Sequence, residues 1–328
     1  MQLDSSSGDT IAPALHEFLT LDLVPLVTVT LAASTLSLLG SFLVLRRQAM
    51  LGDAMAHAVL PGLVIGFLVT GVRAPLPMFL GALGAAFLAS ASISIITRFG
   101  RVERTAAIGL VYTTLFALGI LLVETSGPRN VDLDVDCVLS GQLELLFWRA
   151  PHTWSELMSM AAIESLPGAV VVISALAATS ALFVATTWKL LRTVTFDAAF
   201  ARTRGLRPRL LTTALLGLTT VTIVASFDAL GSILVIALLT CPPAAARLLT
   251  DRMSTYVILS TVLGAAAGVL GYLAATRVAP SIVGGAVDAS GAVATLAGIW
   301  LLAAAVLVNT RRRRNRSRAA GGGVGTVS

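Results

Sequence analysis

Residues 46–67 read RRQAMLGDAMAHAVLPGLVIGF. Two arginines precede a run of apolar residues in which Asp53 and His57 are the only ionisable side chains. A helix needs about 20 predominantly apolar residues to cross about 30 Å of hydrocarbon. The stretch therefore reads as a membrane-spanning helix that carries an acid and a histidine four residues apart, with a proline four residues further on.

The whole chain supports that class. Of 328 residues, 56% are hydrophobic and only 12% charged, with a mean hydropathy of +0.89; a soluble domain is about 25% charged. Apolar runs of spanning length recur near 23–45, 50–71, 75–97, 105–123, 167–188, 210–227, 229–247, 254–276 and 290–309. The expectation is an all-α integral membrane protein with about nine spanning helices, the count bracketed by roughly eight and ten because the turn at Asp228 is short. Residues 1–20 read as a polar extracytoplasmic tail, 21–310 as the transmembrane domain, and 311–328 as a basic, flexible cytoplasmic tail. Cys137 and Cys241 are too few for a disulfide framework.

Alternating these spans puts 19 of the 23 Lys and Arg residues on one side, leaving Arg73, Arg129, Arg149 and Arg277 on the other. Loops rich in Lys and Arg stay in the cytoplasm, so the N-terminus is expected outside and the C-terminus inside. The basic tail then anchors the last span and attracts anionic membrane lipid, which accounts for the pI of about 10.3 without nucleic acid as a partner. Thirteen of the 17 acids fall on the outer side, among them Asp22, Asp132, Asp134, Asp136, Glu144, Asp228 and Asp288. Such a surface concentrates cations.

Positions i and i+4 share a helix face, so Asp53 and His57 project together, about 6 Å apart along the axis. Ionisable side chains in a bilayer cost about 2.5 kcal/mol or more and mark polar cavities or pathways. A carboxylate with an imidazole suits Mn²⁺, Fe²⁺ or Zn²⁺. Pro61 has no N–H, so the carbonyl of His57 loses its helical partner and becomes a third potential oxygen donor. The structural alternative is that Asp53 caps the helix start near Arg46 and Arg47 while His57 bonds a neighbouring helix.

Other motifs fail on inspection. HEFLT at 16–20 has Thr20 where a zinc-protease helix has its second histidine, and the DLDVD loop has Cys137 and Leu143 where a calcium loop has glycine and glutamate. There is no phosphate-binding GxxxxGK[ST], so ATP would have to be hydrolysed by another subunit. The pairs Gly62/Gly66 and Gly264/Gly268 allow close helix approach. In FDAAFARTRG, Phe196 and Phe200 are four apart, Asp197 stands near the start and Gly205 near the end, which describes a short amphipathic helix whose phenylalanines invite a partner. Asp228 sits at the outer end between two spans, as a helix cap or a possible outer gate. Pro242 and Pro243 are expected to kink the span that holds them.

Together, RRQAMLGDAMAHAVLPGLVIGF, NVDLDVDCVLSGQLE, FDAAFARTRGL and SFDALGSILVIALLTCPPAAARLLTDRM resemble, in order and over about 35–310, the permease subunits of ABC importers for manganese, zinc and iron, the manganese/iron branch more than the zinc branch. The resemblance implies a cobalamin-importer-like fold, a bacterial inner-membrane location, and no enzymatic activity of its own. It also implies a second permease subunit, identical or not, cytoplasmic ABC ATPases and an extracytoplasmic metal-binding protein. No cofactor is held permanently; Mn²⁺ is the expected cargo, with Fe²⁺ and Zn²⁺ as the others. Asp53 and His57 match the family's metal-path motif, and Phe196, Asp197, Phe200 and Gly205 match its ATPase-coupling region. Ala56 stands where a serine is common, and Ser140 where an aromatic is common. A proton-coupled secondary carrier is the alternative, since an Asp/His pair can also relay protons.

Overall fold

Arginines and glycines mark several of the helix ends, among them Arg46, Gly71, Gly100, Arg104, Gly168 and Arg252. The computed structural model describes residue 16 and residues 18–71, 75–125, 141–146, 148, 165–279 and 287–321. The expected acidic loop residues Asp132, Asp134 and Asp136, together with Ser140 and most of the N-terminal tail, lie outside them. Helix α1 spans Leu23–Leu45 after a π-helical turn at Phe18–Asp22, α2 spans Ala49–Thr70, α3 Pro75–Phe99, and α4 Arg104–Thr125. Helix α5 covers Gly168–Phe196, α6 Ala198–Thr203, α7 Pro208–Leu249, α8 Met253–Leu273, and α9 Ala289–Gly321. All but α6 are long and apolar enough to cross a membrane, which makes 8 such helices among the described residues.

The expected spans 210–227 and 229–247 lie in one 42-residue element, α7. A straight helix of that length would reach about 63 Å, twice the hydrocarbon thickness. Gly231 resolves the discrepancy. Its φ of 75° and ψ of 164° are the only non-helical dihedrals in α7, in a region open essentially to glycine alone. Thr220, before it, donates to Met55 Sδ at 2.8 Å. Leu239, after it, packs against Gly52, one turn from Met55 on α2. On a straight helix Thr220 and Leu239 would be about 28 Å apart, so the chain reverses at Gly231 and the two halves lie side by side. Gly141, at φ +81°, seats directly on the backbone of Leu230 and Gly231, where a Cβ would collide. The backbone stays helical through Pro242 and Pro243, both buried, so the sharp change of direction belongs to glycine and not to the prolines.

Helices α1, α2 and α7 form the centre, with Leu36, Leu39, Phe42, Met55, Leu230 and Leu238 sealed from solvent. Helix α8 packs on α1, where Gly264 lies against Ser37 and Ala33. Helix α3 closes on α2 backbone to backbone, with Gly62 against Gly81 and Gly66 against Pro77, as the small-residue spacing on α2 predicts. The outer helices α3, α4, α5 and α9 expose Leu80, Leu110, Leu121, Leu182 and Leu302, a surface suited to lipid chains.

Candidate functional site

The metal-path candidates sit in the second and third turns of α2. The helix starts at Ala49, with Gln48 at the N-cap position and no side-chain cap, and Asp53 lies in the second turn, so the capping alternative for Asp53 does not hold. His57 Nε2 lies 3.5 Å from Asp53 Oδ1, and the two side chains retain 19% and 29% of their exposure. The imidazole does not bond a neighbouring helix through its other nitrogen: Nδ1 is buried without a hydrogen-bond partner.

Two aromatic rings on α4 fix the imidazole instead. Tyr112 lies 5.1 Å from it, ring centroid to ring centroid, tilted by 33°, and Phe116 lies 5.1 Å away, edge-on at 72°. Tyr112 and Phe116 are four residues apart and so share one face of α4. Further along the same helix, Gly119 brings the backbone of α4 against Leu60 and Pro61. Sequence reading missed this aromatic pair. Its only signal was the i, i+4 spacing inside an otherwise uniform apolar run.

Among the described residues no group of three or more His, Cys, Asp or Glu side chains could hold a metal. The candidate donors on α2 are therefore one carboxylate, one imidazole and the His57 carbonyl, whose usual helical N–H donor is missing at Pro61.

The acids expected on the outer side are in part structural. Asp22 pairs with Arg277 and accepts from the Tyr272 hydroxyl. Glu144 accepts from the backbone N–H of Ala289 at 3.0 Å, and Asp288 from that of Gly291 at 2.7 Å, so both cap the start of α9. Asp228 is exposed, in helical backbone three residues before Gly231.

The segment around α6 has the expected cap and stop but does not carry both phenylalanines on one short helix. Asp197 is the N-cap, accepting from Phe200 N at 2.8 Å. Gly205, at φ +73°, ends the turn after Arg204, and Leu206 N returns to the Ala201 carbonyl. Phe196 ends α5 instead of joining α6, because Asp197 is extended at φ −145° and ψ 89°. Both phenylalanines stay exposed, and the Arg204 guanidinium lies 5.2 Å from the Phe200 ring centre.

Comparison with known proteins follows the same outline. The family model described as "ABC 3 transport family" matches residues 17–308. The manganese transport system membrane protein MntD of Bacillus subtilis is 35% identical over 274 residues, which is 84% of this chain and 88% of that protein. The zinc transport system membrane protein TroD of Treponema pallidum is 34% identical over 281 residues, 86% of this chain and 72% of that one. Among solved structures, PsaBC from Streptococcus pneumoniae in complex with Fab superposes with a TM-score of 0.67 at 24% identity, covering 86% of this chain and 89% of that one. With these helices and this extent of match, the chain belongs to the ABC 3 transport family and is a multi-pass membrane permease of ABC metal importers.

Proposed function

We propose that the chain moves Mn²⁺ across the bacterial inner membrane, with Asp53 and His57 as the transient ligands, Fe²⁺ and Zn²⁺ being the other ions such donors suit. The observation that carries this reading is the Asp53/His57 pair itself. Its imidazole is wedged between Tyr112 and Phe116, and Nε2 faces the carboxylate. A histidine held only for structure would have a buried ring nitrogen paired, whereas here the buried Nδ1 is left without a partner.

Two side chains and a carbonyl do not fill the coordination sphere of a transition-metal ion, so the remaining ligands come from water or from a second permease subunit facing the first. The similarity of the chain to a manganese permease and a zinc permease supports the metal class; the oxygen-rich donor set favours manganese within it. In this reading the N-terminus lies outside and the C-terminus inside, because 19 of the 23 bases then face the cytoplasm. An extracytoplasmic binding protein delivers the ion past Asp228, which serves as an outer gate. Cytoplasmic ABC ATPases seat on the segment from Phe196 through Asp197 and Phe200 to Gly205, and their closure alternates access. Residues 1–20 stay outside and 311–328 form the cytoplasmic tail.

Uptake of radioactive manganese by cells that depend on this chain tests the site. Asp53→Ala and His57→Ala should each abolish uptake while the chain still assembles in the membrane; normal uptake in both would refute it.

A further inference from the structure

Arg46 occupies the short turn between α1 and α2, outside the spanning segments. Its Nε donates to Thr195 Oγ1 at 3.2 Å and its Nη1 to Thr212 Oγ1 at 2.8 Å, while Nη2 is buried without a partner. None of the ion pairs among the described residues involves it. Burial lowers its pKa, yet an arginine stays charged in proteins. A half-desolvated cation held by two neutral hydroxyls is a costly way to build a helix end; an aliphatic side chain would serve packing better.

The position of the two hydroxyls gives the cost a use. Thr195 precedes Phe196, the last residue of α5, and Thr212 lies in the second turn of α7, where it also donates to the Pro208 carbonyl at 2.8 Å. One guanidinium therefore grips both flanks of residues 197–207, the stretch that contains α6. Helix α6 packs on α5 and α7, and the Arg46 fork extends that contact to the turn that starts α2. The turn is stiff: Arg47 is held at φ 55°, Gln48 N bonds the Leu43 carbonyl, and Leu51 N bonds the Gln48 carbonyl. Asp53 follows seven residues after Arg46, in the second turn of α2. A displacement of α6 pulls on Thr195 and Thr212 together, and the guanidinium passes it to the turn and to the helix that carries Asp53 and His57.

We propose that Arg46 is the positioning residue that links the α6 segment to the metal-bearing helix, an inference that rests on the reading of α6 as an ATPase seat. The guanidinium presents its donors to the two threonines from separate nitrogens in a rigid fork, whereas a lysine has a single nitrogen on a flexible stem.

The test is the amount of manganese moved per ATP hydrolysed by the full complex, with its ATPase and binding protein, in sealed liposomes. Arg46→Gln should lower that ratio about fivefold or more, the scale of an ordinary coupling energy, with ATPase capture unchanged and with Arg46→Lys restoring part of it. The double variant Thr195→Val with Thr212→Val removes the same bonds from the other side and should lower the ratio alike, so the inference stays testable should Arg46→Gln fail to assemble. An unchanged ratio in either variant overturns it. Phe200→Asp examines the seat separately: wild-type chain that captures no ATPase, or a Phe200→Asp chain that captures it normally, contradicts the seat and not the Arg46 fork.

Discussion

Helices α1 and α2 are nearly the same length, 23 and 22 residues, and are buried to similar degrees, 61% and 67% of their apolar windows. They treat polar atoms in opposite ways. In α1 the hydroxyls of Thr28, Thr30, Thr35 and Ser41 donate to carbonyls three or four residues back, and Ser37 donates across to the Leu238 carbonyl of α7 at 2.9 Å. In α2, Thr70 in the last turn does the same, but the polar side chains of the second and third turns, Asp53 and His57, are ionisable and partly exposed, and one imidazole nitrogen is buried unpaired, one turn before a proline. Polar atoms that answer one another locally build a helix; polar atoms left open in the same environment await a visitor.

Substitution on the two helices separates these roles. The largest effect is expected at α2: Asp53→Asn and His57→Gln keep shape but weaken metal donation, and each should lower manganese uptake about 100-fold, the upper range for disturbing a metal site. Next in size is Gly231→Ala, which forces a Cβ into a glycine-only conformation at the reversal of α7 and should destabilise the fold by about 1–3 kcal/mol, read as earlier thermal unfolding in detergent. Removing one wall of the imidazole clamp with Tyr112→Leu or Phe116→Leu should cost roughly 3–10-fold in uptake at unchanged membrane level, since an aromatic pair contributes about 0.5–1.5 kcal/mol. The smallest effect belongs to α1, where Thr35→Val should change stability by about 1 kcal/mol or less and leave uptake within about twofold. A loss of transport in Thr35→Val comparable to that at Asp53 would erase the contrast between the helices.

Much of this was legible in the sequence where chemistry is local. Arginines bound the apolar runs, so the expected 75–97 and 105–123 sit inside the observed Pro75–Phe99 and Arg104–Thr125. Asp197 and Gly205 announce α6 because a cap and a positive-φ stop act within one turn. Asp53 and His57 come together because helical periodicity alone places them so. What stayed hidden depends on how helices rotate against one another. Tyr112 and Phe116 are two aromatics in a greasy run until α4 turns them onto His57. Arg46 counted only as a charge on the cytoplasmic side until α5 and α7 supplied its hydroxyls. The doubling back of α7 was foreseen as two spans, but its agent, Gly231 under Gly141, is a matter of backbone dihedrals and tertiary contact that composition does not carry.

The most direct test of the central claim is elemental analysis of the purified importer complex after exposure to manganese and removal of free ion. The wild-type complex should retain manganese, and complexes bearing Asp53→Ala or His57→Ala should retain none above background. Equal retention in all three would mean that the ion is held elsewhere and that the pair on α2 is not its ligand.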